Sequence, residues 1–172
     1  MFNLKLFIDG SVDTKTRIGF GAYLAVDEAG LSLNDLNAKV AVKRFDNTSS
    51  TTLELQTLLW AINDVLLLHS ETAVQFVIYT DSQNIVGLLA RRNKLEQEDY
   101  CANSGKRLNN ASLYQQFFMV LDQCNCQIIK LAGHKPKNLK DDLDRVFALV
   151  DKAARSSLRK YNRATFESIT LK

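Results

Sequence analysis

The chain has 172 residues, 46% hydrophobic and 24% charged, the make-up of an ordinary globular domain long enough to bury a core. A net charge of +3 is too small to argue for nucleic acid by itself. No apolar run reaches membrane-spanning length, and the opening MFNLKLFIDG, broken by Lys5 and ending in an acid, is not a secretory leader. The expectation is one domain over residues 1–172, cytoplasmic, monomeric and off the membrane.

In chain order, LKLFI at 4–8 is a short apolar run closed by Asp9-Gly10-Ser11, a turn signal. IGFGAYLAV at 18–26 reads as a second strand, in which Gly19 and Gly21 allow close backbone approach or a bulge. AKVAVKRF at 38–45 alternates and reads as a third. Short connections suggest an antiparallel meander. The period then changes: Leu55, Leu58, Leu59, Ile62, Val65 and Leu66 recur at helical spacing over 52–68, with Ser49, Ser50 or Thr51 able to cap. VQFVIYT at 74–80 is a nearly all-apolar strand, hence buried on both faces. A helix is expected over 82–92, a polar stretch without period over 93–110, a helix over 113–121 and a strand over 126–132. Leu139, Leu143, Val146, Phe147, Val150, Ala154 and Leu158 mark a long closing helix. A meander followed by β-α-β crossovers predicts an α/β fold, a mixed sheet with helices on its faces.

Cys101, Cys124 and Cys126 make an odd count and argue against a disulfide framework. Neither His69 nor His134 stands at zinc-finger spacing from the C-x-C pair, so reduced thiols are expected. Basic residues gather at Arg91, Arg92, Lys94, Lys106, Arg107 and from Lys130 to Arg163, which suits a nucleic-acid footprint and a solvated helix face equally well.

The acids are more informative. Asp9 ends the first strand, Asp81 ends the buried strand, and Glu54 falls in the first turn of the long helix, in line with Leu58 and Val65. Functional groups of open α/β sheets collect beyond the carboxyl ends of strands. Each acid taken singly has an ordinary explanation: a turn-forming Asp for Asp9, a favourable helix dipole for Glu54, an N-cap for Asp81. Together at one rim they repel one another, and they make sense as a cage for a hard divalent cation such as Mg²⁺, which takes oxygen ligands.

At this point the residues resemble type 1 ribonuclease H. The chain carries Ile8-Asp9-Gly10-Ser11, then Gly19-Phe20-Gly21-Ala22-Tyr23, then Ser49-Ser50-Thr51-Thr52-Leu53-Glu54-Leu55. Tyr79-Thr80-Asp81-Ser82-Gln83 follows, then Asn110-Ala111-Ser112-Leu113-Tyr114-Gln115, Lys130-Leu131-Ala132-Gly133-His134, and finally Val150-Asp151-Lys152-Ala153-Ala154-Arg155. Each piece alone is weak; in this order, over residues 4 to about 160, they are specific.

The resemblance implies a ribonuclease H-like fold, a five-stranded mixed sheet of order 3-2-1-4-5 with helices on both faces. It implies an endoribonuclease that hydrolyses the RNA strand of RNA–DNA hybrids by a two-metal-ion mechanism, leaving 5′-phosphate and 3′-hydroxyl ends. Asp9, Glu54, Asp81 and Asp151 would bind two Mg²⁺ ions, which Mn²⁺ can replace, and His134 would assist proton transfer and product release. Gly10, Ser11, Ser50, Thr51, Ser82 and Gln83 would meet the hybrid. Asp144, ten residues after His134, is the alternative fourth carboxylate. Asp151 has the better local match, and the other acid is then expected to be surface charge. Ser50 and Thr51 stand where the family often has asparagine, and the basic stretch 91–107 is diluted by Glu96, Glu98 and Asp99. Another nuclease of the same fold, an exonuclease or resolvase, and a catalytically inactive nucleic-acid-binding module are the alternatives, since fold does not fix substrate.

Overall fold

The computed structural model describes residues 2–27, 33–69, 73–132 and 141–170. Five strands form one sheet, β1 (Phe2–Asp13), β2 (Ile18–Val26), β3 (Ala41–Phe45), β4 (Val74–Thr80) and β5 (Asn125–Lys130), in the order β3-β2-β1-β4-β5. β1, β2 and β3 are antiparallel neighbours, whereas β4 runs parallel to both β1 and β5. The helices are α1 (Leu33–Ala38), α2 (Ser50–Leu68), α3 (Gln83–Gln97), α4 (Ala111–Gln123) and α5 (Asp142–Thr170).

Strand alternation divides the core into two layers. Leu4, Leu6 and Ile8 face the side covered by α2, α3 and α4, where they meet Leu58, Ile62, Ile85 and Phe117. Phe7 faces the opposite side with Ala22, Leu24 and Tyr79, under Leu36 of α1 and Phe147, Val150 and Ala154 of α5. Phe7 and Tyr79 stack at 4.8 Å between centroids. The mixed sheet with helices on both faces is therefore the architecture expected from the sequence. Among the described residues no helix is long and apolar enough to cross a membrane.

Several boundaries differ from expectation, each for a physical reason. β1 does not end at Asp9. It continues to Asp13 because β2 pairs with it through Asp13↔Ile18, so Asp9-Gly10-Ser11 is strand and not a turn. The third strand begins at Ala41 rather than residue 38, since 33–38 forms α1, anchored by the buried Leu36. The third helix runs on to Gln97 and closes through Asp99 and Tyr100, both at positive φ, with the Tyr100 amide donating to the Leu95 carbonyl at 2.8 Å. The cysteines are free. Leu139 lies outside the described residues; α5 starts at Asp142.

α2 lies close on β1 and β2 because glycines remove the obstacle. A Cβ on Gly21 would overlap the Thr57 hydroxyl, and one on Gly10 would come within 2.9 Å of Leu53. The two missing side chains bring the α2 backbone down onto the sheet, and Glu54 with it.

Candidate active site

The ladder between β1 and β4 stops at Phe7↔Tyr79, while β1 continues along β2. The fork beyond that last pair is where the acids gather. Asp9 lies on β1 just past it, on the same face as Phe7 and hence toward α5. Asp81 follows the end of β4, where the Thr80 carbonyl accepts the Leu131 amide at 2.8 Å. Glu54 belongs to α2, its helix capped by the Ser49 hydroxyl, which accepts from the Thr52 amide. It sits in the second turn rather than the first. Asp9, Glu54 and Asp81 line one small hollow with Thr57, Thr80 and Ser82.

Asp9 shows what this convergence costs. Its pKa is pushed from the ordinary 3.8 to about 8. Burial is the main cause, followed by the Asp81 charge; the Asp151 carboxyl adds both a hydrogen bond and its charge. The Gly10 amide, donating to Asp9 Oδ1 at 2.7 Å, opposes the shift only in part. Three elements distant in sequence thus bring Asp9, Asp81 and Asp151 into one electrostatic unit.

The two acids of α5 have separate surroundings. Asp151 lies toward Asp9 and is held by Arg155, Nε to Oδ1 at 2.6 Å. Asp144 is buried, 5% exposed, and its carboxylate accepts the Asp141 amide at 3.1 Å while its own amide donates to Asp141 Oδ1 at 2.8 Å. That reciprocal pair closes the N-terminus of α5 as a capping box. Asp144 is therefore not the surface charge expected of it.

Glu54 is aimed by the N-cap and first turn of α3. The Ser82 hydroxyl donates to Glu54 Oε2 at 2.6 Å, and Asn84 Nδ2 donates to the same oxygen at 3.2 Å and to Thr51 Oγ1 at 3.3 Å. Asn84 was not singled out from the sequence. It belongs to no apolar period, and its only signal is its place three residues after Asp81. Ser82, rather than Asp81, is the N-cap of α3; it is 4% exposed, and its hydroxyl accepts the Ile85 amide. Gln83 accepts a hydrogen bond from Lys130. Gly10, Ser11 and Ser50 line an open groove of about 440 Å³ beside the acids, together with Arg155 and Arg159 of α5. His134 lies outside the described residues.

Among the described residues, no three His, Cys, Asp or Glu side chains stand close enough together to hold a metal ion as placed. Ser82 and Asn84 draw Glu54 to one side, and Arg155 draws Asp151 to another. The donor set nonetheless suits a hard divalent cation: it offers carboxylate oxygens only, and the burial and mutual repulsion that together raise Asp9 are what such a cation would offset.

The basic stretch expected to grip nucleic acid is partly engaged within the molecule. Arg92 makes a two-pronged pair with Asp122 at 2.6 and 2.7 Å, bonds Glu96 and lies over Phe118; Lys94 faces Glu98 at 3.8 Å.

A central β1 flanked by antiparallel β2 and parallel β4, with acids at the fork, is the ribonuclease H-like architecture. The RNase H family model matches residues 2–157, and the chain belongs to that family. The PFV RNase H domain, solved in solution, superposes with a TM-score of 0.66 at 17% identity, covering 90% of this chain and 93% of that one. LC9-RNase H1, described as a type 1 RNase H with the type 2 active-site motif, gives a TM-score of 0.66 at 16% identity, covering 91% of this chain and 72% of that one. These two likenesses bear on the fold. No curated protein matches the sequence at a significant level. Family membership supports nuclease activity on RNA–DNA hybrids in general terms.

Proposed function

We propose that this protein is an endoribonuclease that hydrolyses the RNA strand of RNA–DNA hybrids, acting as a monomer and leaving 5′-phosphate and 3′-hydroxyl ends. The observation that carries the reading is the Asp9 carboxyl, half-buried at the strand fork and electrostatically tied to Asp81 and Asp151 from two other elements. Such an arrangement destabilises the site unless a proton or a metal cation joins it.

In this reading Asp9, Glu54, Asp81 and Asp151 hold two Mg²⁺ ions, or Mn²⁺ in their place. Bound divalent ions of this kind lower the pKa of attacking water and neutralise charge on a leaving oxygen. The chain's own part is placement. Asp9 is fixed by β1 pairing, Asp81 by the end of β4, Glu54 by Ser82 and Asn84, and Asp151 by α5. Ser50 and Thr51, at the N-terminal turn of α2, offer hydroxyls for a 2′-hydroxyl, the group that distinguishes RNA from DNA. Gly10 and Ser11 meet the hybrid from the groove, Gln83 meets it from beside Lys130, and buried Ser82 acts through Glu54. His134 carries a proton to or from the leaving strand and aids product release.

The test compares end-labelled RNA–DNA hybrid, duplex DNA, duplex RNA and single strands in Mg²⁺ and in Mn²⁺. The expected result is internal cleavage of the RNA in the hybrid alone, abolished by Asp81→Asn. Equal cleavage of duplex DNA, or hybrid cleavage that persists in Asp81→Asn, overturns the proposal.

A further inference from the structure

α5 continues well past Asp151, and its later turns are held in place. Asn162 donates to Asp13 Oδ2 at 3.4 Å, and Tyr161 packs between Arg44, 4.5 Å from its ring centre, and Phe20, at 5.9 Å between centroids. The helix is thereby pinned against β1, β2 and β3. Between these contacts and the acids lies the groove of about 440 Å³ lined by Ser11, Ser50, Glu54, Arg155 and Arg159.

The two arginines of the groove differ. Arg155 is paired with Asp151 at 2.6 Å. Arg159, four residues on and so on the same helix face, has no ion-pair partner among the described residues. An unpaired guanidinium on a fixed helix, facing serine hydroxyls, suits a phosphate oxygen. Glu54 also lines the groove, and its carboxylate repels an anion beside it, which seats the anion toward Arg159. Eight residues of helix separate Arg159 from Asp151, about 12 Å along the axis and roughly three to four base steps.

We infer that Arg159 forms a subsite for a backbone phosphate of the bound hybrid, a few nucleotides from the cleaved bond on the α5 side. The inference rests on the nuclease reading for its ligand. Arg159 anchors and positions the duplex; it does not touch the reacting atoms. Its neighbour Lys160 carries the same charge 100° round the helix, outside the groove.

The test measures binding of fluorescent RNA–DNA hybrid to wild type, Arg159→Ala and Lys160→Ala in EDTA over a salt series, and cleavage in Mg²⁺ separately. Arg159→Ala is expected to weaken binding about tenfold at low salt, to lower the slope of log affinity against log salt by about one, and to raise KM with kcat unchanged. Lys160→Ala is expected to leave the slope near wild type. Equal slopes for wild type and Arg159→Ala, or equal losses in the two variants, overturn the subsite. Wild type that binds hybrid with the expected Arg159 dependence but cuts nothing overturns the nuclease reading and leaves the subsite standing. Wild type that binds no hybrid overturns both.

Discussion

The Ser82 hydroxyl lies 2.6 Å from Glu54 Oε2 and 3.2 Å from the Ile85 amide, so the residue that caps α3 also aims an acid of α2. Ser82→Ala should therefore do two things at once. Losing the cap should cost about 1 kcal/mol, seen as a Tm lower by several degrees. Losing the support of Glu54 should weaken Mg²⁺ activation about 10- to 100-fold, read from the metal dependence of hybrid cleavage. Ser82→Thr should restore much of both. If Ser82→Ala loses stability but keeps its metal dependence, the hydroxyl serves α3 alone.

The α5 acids should separate cleanly. Asp151→Asn should abolish cleavage with the Tm held or raised, because it removes a charge that crowds Asp9. Asp144→Ala should lower stability by about 1 kcal/mol or more through the broken capping box, with kcat retained in the folded fraction. Thermal melts beside saturating-substrate rates distinguish them, and the reverse pattern would make Asp144 the fourth ligand.

Metal-free stability should depend on pH through Asp9. Its folded pKa, about 8, stands above the ordinary 3.8. Between these values the folded protein binds a proton that the unfolded chain has released, so stability falls as pH rises from about 4 to about 8. A Tm series in EDTA should show that decline, and Asp9→Asn should flatten it and melt higher at pH 8. Mg²⁺ should raise the wild-type Tm most at the alkaline end. A flat wild-type series would mean that Asp9 titrates normally.

Gly21→Ala should destabilise by about 1–3 kcal/mol, since the new methyl group overlaps the Thr57 hydroxyl. Thr57 is fully buried and its hydroxyl has no hydrogen-bond partner among the described residues, so Thr57→Ala in the same chain should recover part of the loss. A double-mutant cycle by urea melts measures the coupling; strict additivity would mean that the contact carries no strain.

How much of this was legible in the sequence depends on whether the deciding partner was near. The change of hydrophobic period between 45 and 55 marks the passage from meander to α2, and the apolar run at 74–80 marks a strand covered on both faces; both patterns are local. The end of β1 is not. Asp9-Gly10-Ser11 has turn chemistry, and only the pairing with Ile18–Ala22 keeps it extended. α1 was missed because six residues with a single buried Leu36 carry no period. The meeting of Asp9 with Asp81 follows from strand order and could be argued from the motifs. The orientation of Glu54 by Asn84, and the burial of Asp144, depend on side-chain contacts that spacing does not encode.

The central strand also governs when the molecule can assemble. β1 finds β2 almost at once, but its parallel partner begins with Phe2 opposite Val74, roughly seventy residues downstream. On a ribosome the first strand therefore waits, one edge exposed, until β4 has emerged. Pairings this distant close slowly, since a long loop must be ordered before any contact rewards it. The acids meet later still, because Asp151 arrives with α5, so a nascent chain cannot bring Asp9, Asp81 and Asp151 together until nearly all of it has been made.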